Sequence, residues 1–158
     1  MPFGDSTVLE YLVERAIGLG RARKVIIATS TKEQDNAIEE VCKKRSWDVF
    51  RGSEDMLLDR YFQAAKKFGS TIIVRVTADN PFTDFSEMQR IVEVLISERL
   101  DFVRNTGFMA LGTATEAFTF IALETAKNNA TTPEDKEHVT RYFYQTKPQQ
   151  FKQKNVAP

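Results

Sequence analysis

Asp79 follows TIIVRVT and Ala78, the clearest strand pattern in the sequence, and Asn80-Pro81 then breaks that pattern sharply. A carboxylate held at a strand's end projects toward the cleft where α/β sheets bind their ligands. There it suits magnesium, which takes few protein oxygens and shares its shell with water and phosphates. The same carboxylate would equally cap a turn ahead of Pro81. Gly52-Ser53 is a second pair of interest, because glycine lets backbone amides approach a base or sugar closely. The plainer role for Ser53 is to cap the helix that follows. His138, the single histidine, sits in the helical pattern EDKEHVTRYFY. With no Ser-His-Asp partners at compatible positions, it reads as a packed or surface side chain. Cys42, the single cysteine, permits neither an intrachain disulfide nor a cysteine metal cluster and reads as a buried structural thiol.

The elements that must position these residues alternate. Asp5 or Ser6 can cap a helix carrying Val8, Leu9, Leu12, Val13, Ala16 and Ile17 at helical spacing, with Gly18 and Gly20 to end it. KVIIAT reads as a buried strand ending at Thr29, and 35–45 as a helix. WDVF is a short strand interrupted by Arg51 and Gly52, Met56 to Phe68 a helix stopped by Gly69, and Phe85 to Arg99 another helix. DFVRN and TEAFTFI are strand patterns separated by small residues from Thr106 to Ala114, and helices are expected at 122–129 and 134–145. Strands separated by helices imply crossover connections. The expectation is one α/β domain over residues 1–158, three-layered α/β/α with a mainly parallel sheet of Rossmann-like type. The carboxyl ends of its strands mark Thr29, Ser30, Gly52, Ser53, Thr77, Asp79, Asn80 and Asn105 as the residues nearest a ligand.

A chain of 158 residues, 42% hydrophobic and 28% charged, suffices for one domain with a real core. Lys plus Arg and Asp plus Glu both number 22, so no basic excess points to nucleic acid. No apolar run approaches the roughly 20 residues that span a bilayer, and MPFGDSTVLE lacks signal-peptide character. A cytoplasmic protein is the expectation.

TVLEYLVERA, KVIIATST, VFRGSEDMLLDRYFQAAKKFG, TIIVRVTADNPFTD, DFVRNT, TEAFTFIALETA and KEHVTRYFY, in this order, resemble the cytidylyltransferase family that activates acidic sugars. The similarity is to the branch of spore-coat polysaccharide biosynthesis proteins beside the acylneuraminate cytidylyltransferases. It covers most of the chain, and GSEDMLLDRY and RVTADNP are its specific parts. It implies a nucleotide-diphospho-sugar transferase type of fold and transfer of a cytidylyl group from CTP to a small sugar acid, for surface polysaccharide biosynthesis. By resemblance Asp79 carries Mg2+, Gly52 and Ser53 approach the cytosine, and Glu116 is the second metal ligand. Asn105 and His138 match recurrent positions of open role, and a homodimer is expected.

The family pattern has glycine where this sequence has Ala78, and aspartate where it has Ala114. The resemblance also implies an N-terminal strand with a Gly-, Arg- and Lys-containing loop around the triphosphate, and a terminal strand and helix. None of these lies within the 158 residues, so a domain truncated at both ends, with impaired turnover, is the expectation. A glycosyltransferase using a sugar nucleotide and a non-catalytic nucleotide-binding module stay open as alternatives.

Overall fold

The computed structural model describes residues 2–19, 22–110 and 112–158. A short antiparallel pair, β1 (Pro2–Phe3) and β2 (Ser6–Thr7), precedes α1 (Val8–Leu19). The helix is capped by neither Asp5 nor Ser6. The Thr7 hydroxyl accepts from the Glu10 amide at 3.2 Å, and the Glu10 carboxylate accepts from the Thr7 amide at 3.0 Å. This reciprocal arrangement satisfies two of the free amides at the helix start. Gly18 lies inside α1, and Gly20 lies outside the described residues.

The chain continues through β3 (Ile26–Ser30), α2 (Asn36–Arg45), β4 (Asp48–Gly52) and α3 (Leu57–Phe68). Gly69 ends α3 in the left-handed conformation, φ 67°. Next come β5 (Ile72–Arg75), α4 (Phe85–Ser97), β6 (Phe102–Arg104), β7 (Glu116–Thr119) and α5 (Phe120–Asn129). α6 (Pro133–Glu137), a π-helical turn (Tyr142–Thr146) and β8 (Gln153–Asn155) complete the chain.

Three boundaries differ from the sequence expectations. β4 runs through Arg51 and Gly52, which pair with Thr29 and Ser30, so neither residue interrupts it. TEAFTFI is a strand only to Thr119 and is helical from Phe120. The last expected helix is broken: His138 is extended at φ −101°, ψ 97°. The β-branched pair Val139-Thr140 that follows is a weak helix continuer.

The residues form two compact units, and the chain passes repeatedly between them. One unit contains Met1–Arg23, Ile72–Thr119 and Lys152–Pro158. Its sheet has the order β5-β7-β6-β8, with β7 antiparallel to both neighbours and β8 parallel to β6. The sheet is therefore mixed rather than mainly parallel. The physical reason is the β6–β7 connection, which contains no helix among its described residues and returns the chain antiparallel, as short links do. Ile91 and Leu95 of α4 pack on Val103, Ala117 and Val156, with Ile72 and Val74 against them. Val8 and Leu12 of α1 join Phe85 and Met88 of α4 in a second cluster.

The other unit contains Lys24–Thr71 and Phe120–Phe151. β3 and β4 pair in parallel, and α3 packs on both as well as on α5 and α6. Phe62 stacks on Phe120 at 5.5 Å, and Phe143 meets Phe151 edge-on at 5.0 Å. Cys42 is fully buried, and burial pushes its thiol pKa up. No helix among the described residues is long and apolar enough to cross a membrane.

Ile91, fully buried between helix and sheet, sets the first prediction. Ile91→Ala should destabilise the protein by about 2–5 kcal/mol through lost burial plus a cavity. A urea unfolding midpoint unchanged from wild type would show that this cluster does not carry the unit.

Candidate functional site

β5 ends at Arg75, and the chain then turns through Thr77, Ala78, Asp79 and Asn80. The turn closes on itself. The Asn80 amide donates to the Thr77 carbonyl at 3.2 Å, the Asn80 side chain donates to the Thr77 hydroxyl, and Thr83 donates to the Asn80 carbonyl at 3.0 Å. Ala78 and Asp79 stand at the tip, exposed. Asn80 thus braces the turn, and Asp79 offers the carboxylate.

Behind the turn lies a cavity of about 220 Å3 lined by Arg75, Thr77, Asn80, Thr83, Thr106, Gly112, Ala114 and Glu116. Gly112 adopts φ 83°, where side chains are strained, and a Cβ there would sit 3.1 Å from Asn80 Oδ1. Glu116 opens β7 and lies directly opposite both Arg75 on β5 and Arg104 on β6. Opposed residues share a face of the sheet, so the three form one row, cation–anion–cation. Arg75 Nη1 donates to Glu116 Oε2 at 3.3 Å, while Arg75 Nε is buried with no acceptor among the described residues.

Asn105 is fully buried and closes the base of the loop that carries Gly112 and Ala114. Its Oδ1 accepts from the Thr115 amide at 2.9 Å, and its Nδ2 donates to Glu87 Oε2 at 3.3 Å. Arg90 grips the same Glu87 carboxylate through Nε and Nη2, at 2.9 and 2.7 Å. Those bonds from Arg90, then the one from Asn105, hold the Glu87 pKa below its ordinary value. Asn105 therefore positions the loop and does not present its amide to solvent.

In the other unit, Thr29 and Ser30 are buried and turned to Asp35. The Thr29 hydroxyl and the Ser30 amide donate to Asp35 Oδ2 at 2.8 and 2.9 Å. The Ser30 and Thr29 side chains hold the Asp35 pKa below its ordinary 3.8. Arg51 completes the arrangement. It donates to the Ser30 and Lys32 carbonyls at 2.9 and 2.7 Å and to Glu39 at 2.9 Å. Gly52 is needed for packing: a Cβ would meet the Arg60 stem at 2.9 Å and the Phe50 ring at 3.0 Å. Ser53 is exposed and its hydroxyl accepts from the Met56 amide at 3.1 Å, a turn bond rather than the helix cap expected of it, because Met56 itself stands at the N-cap of α3 and no side chain caps the helix there.

The structure thus brings Thr77, Asn80, Asn105 and Glu116 around one cavity or its loop base, beside the exposed Asp79 turn. Thr29, Ser30, Gly52 and Ser53 belong to the other unit. His138 is exposed. Among the described residues no group of three or more His, Cys, Asp or Glu is placed to hold a metal. Sequence reasoning missed Arg75, Asp35 and Arg51. A charged residue inside an apolar strand was the available signal for Arg75. The other two have no local signature, because their partners are set by strand pairing.

A family model described as cytidylyltransferase matches residues 1–157, and the chain belongs to that family. The chain is 41% identical over 152 residues to an uncharacterized protein of Methanocaldococcus jannaschii, covering 96% of this chain and 62% of that protein. It is 31% identical over 152 residues to the spore coat polysaccharide biosynthesis protein SpsF of Bacillus subtilis, covering 90% and 61%. A solved cytidylyltransferase from Leptospira borgpetersenii superposes with a TM-score of 0.92 at 31% identity, over all of this chain and 68% of that one. The Rossmann-like α/β fold expected from the sequence is the fold found. The chain spans about three-fifths of the length of the curated relatives it matches.

Asp35→Ala should cost about 1–2 kcal/mol by stranding the Thr29 and Ser30 donors. The depressed Asp35 pKa means its contribution is present above pH 3.8 and fades as pH falls toward the lower folded value. Asp35→Asn should therefore flatten the acid side of a thermal stability–pH profile, and an unaltered profile would refute this assignment. Asn105→Ala should release the loop between residues 105 and 115. Faster amide hydrogen exchange confined to that segment is the expected readout.

Proposed function

We propose that this cytidylyltransferase-family chain carries the nucleotide- and metal-handling part of an enzyme that transfers CMP from CTP to a small acidic sugar. The observation that carries the reading is the exposed, braced Asp79 turn at the carboxyl end of β5, in a chain of this family. In the transfer, a sugar oxygen forms a bond to the α-phosphorus of CTP, the bond to pyrophosphate breaks, and the hydroxyl proton passes to solvent. Such chemistry rests on positioning and charge neutralisation more than on covalent help.

Magnesium fits the donor present at Asp79. The ion keeps most of its water and needs one or two carboxylates beside substrate phosphates, which an exposed turn carboxylate can provide. Glu116 fits it less well, since Arg75 holds its carboxylate and Arg104 flanks it in register. We assign the ion to Asp79. When bound, it would neutralise charge on the triphosphate.

The protein's own contributions follow from the site geometry. Asn80 and Thr77 hold the turn so that Asp79 projects from it. By the family resemblance, exposed Ala78 would put a methyl group near the phosphates of a bound nucleotide. Thr29 and Ser30, bound to Asp35, shape the β3–α2 loop. The likeness to a spore coat polysaccharide biosynthesis protein supports a product destined for surface polysaccharide.

Calorimetric titration with CTP, ATP and UTP, with and without magnesium, tests the proposal. CTP should bind in preference, require magnesium, and lose at least about tenfold in affinity, roughly 1.4 kcal/mol, in Asp79→Ala. Binding that ignores the base, the metal or the Asp79 substitution would overturn it.

A further inference from the structure

We infer that Asn155 is a positioning residue of the candidate site: with Val156 and Ala157 it holds the loop between β6 and β7 at both ends and, through that loop, sets the Asp79 turn. The inference rests on the cytidylyltransferase reading for what the site does, and on hydrogen bonds within one unit for how it is held.

Asn155 grips the side of the loop that leaves β6. β8 pairs with β6 in parallel, with Asn155 opposite Arg104, and the Val156 amide donates to the Arg104 carbonyl at 2.8 Å. The Asn155 side chain thus lies beside the first loop residues, and its Nδ2 donates to the Thr106 carbonyl at 3.0 Å. Val156 anchors the arrangement, buried in the apolar cluster with Ile91 and Val103. The returning side is held by a relay. Asn105 accepts from the Thr115 amide and donates to Glu87, which Arg90 grips through Nε and Nη2. Arg90 Nη2 carries two protons, so it also donates to the Ala157 carbonyl, at 2.7 Å. Ala157 thereby helps fix the guanidinium plane, and with it the carboxylate that orients Asn105. Both supports of the loop run back to the same three residues.

The loop is what these residues control. Thr106, Gly112 and Ala114 line the cavity of about 220 Å3 behind the turn, and Met109, Ala110 and Thr113 line a second cavity of about 470 Å3. Gly112 abuts the Asn80 side chain, so a shift of the loop reaches the residue that braces Asp79. β8 stands at the end of the order β5-β7-β6-β8 and borders β6 alone in that sheet, and Asn155 and Ala157 are exposed. Lys154, one residue before Asn155, bonds Glu98 at 2.6 Å and takes no part in these contacts to the loop.

Amide hydrogen exchange and calorimetry on this chain test the inference. Asn155→Asp keeps the shape of the side chain and replaces its donor with an acceptor, whereas Lys154→Ala removes the neighbouring Glu98 pair. Losing one net hydrogen bond corresponds to a change of about threefold to tenfold, so Asn155→Asp should speed exchange by that factor at residues 106–115 and 78–79. Lys154→Ala should leave both segments at wild-type rates. Arg90→Lys keeps the charge but loses the paired grip, and should speed exchange at 113–115. Magnesium-dependent CTP affinity should fall at least about threefold in Asn155→Asp, the same single-bond scale, and hold in Lys154→Ala. Unchanged exchange in Asn155→Asp, equal acceleration in Lys154→Ala, or faster loop exchange with CTP affinity intact would each overturn the inference. A wild-type chain that binds no CTP would strike the cytidylyltransferase reading instead, and exchange at 78–79 would still decide the positioning.

Discussion

β7 sits between β5 and β6, antiparallel to both, and the organisation of its unit follows from that placement. Both edges of the strand are paired, so its buried backbone groups find partners, as an interior strand requires. Ala117 and Phe118 are then fully buried in the middle of the sheet. A one-residue slip would exchange these two faces and place Glu116 in the apolar cluster under α4. The register is thereby held by burial, and it lays the Glu116 carboxylate between two arginines from different strands.

The same placement explains the polar groups around the loop. A chain leaving β6 and returning as β7 must close a connection that has no helix among its described residues to stiffen it. The fold stiffens it with a buried amide instead. Asn105 bonds the far end of the loop at Thr115 and is itself held by Glu87, which Arg90 orients. The Asn155 side chain adds a bond to the Thr106 carbonyl at 3.0 Å. The buried Asn105 amide is paired through both its oxygen and its nitrogen, the condition under which a buried polar group stabilises rather than costs, although the Thr115 hydroxyl beside it is buried without a partner among the described residues. The loop can then hold Gly112 against Asn80, the residue that braces the Asp79 turn.

The other unit solves a similar problem with charge. The carboxyl ends of β3 and β4 would leave exposed loops of uncertain shape. Asp35 gathers the Thr29 and Ser30 donors, and Arg51 binds the carbonyls of the following turn. Thr29 and Ser30, placed near a ligand by the sequence, also support a loop here. Hydroxyls at strand ends are as useful for shaping a backbone as for touching a substrate.

Much of this fold was legible in the amino-acid order because it rests on local physics. The apolar periods of α3 and α4, the stop at Gly69, the strand TIIVRVT and the break after Asp79 depend on sterics within a few residues of one another. So the class of fold, the exposed Asp79 turn and the burial of Cys42 could be read from the chain alone. The direction of β7, the Arg75–Glu116–Arg104 row, the bond network of Asp35 and the contact of Gly52 with Arg60 could not. In the row and at Gly52, the partners come from other strands or from a helix. Asp35 shows the same limit at shorter range, since which hydroxyls turn toward it depends on how β3 pairs with β4. Pairing is settled by which register buries the apolar face and satisfies the backbone, a choice made only when the whole unit assembles.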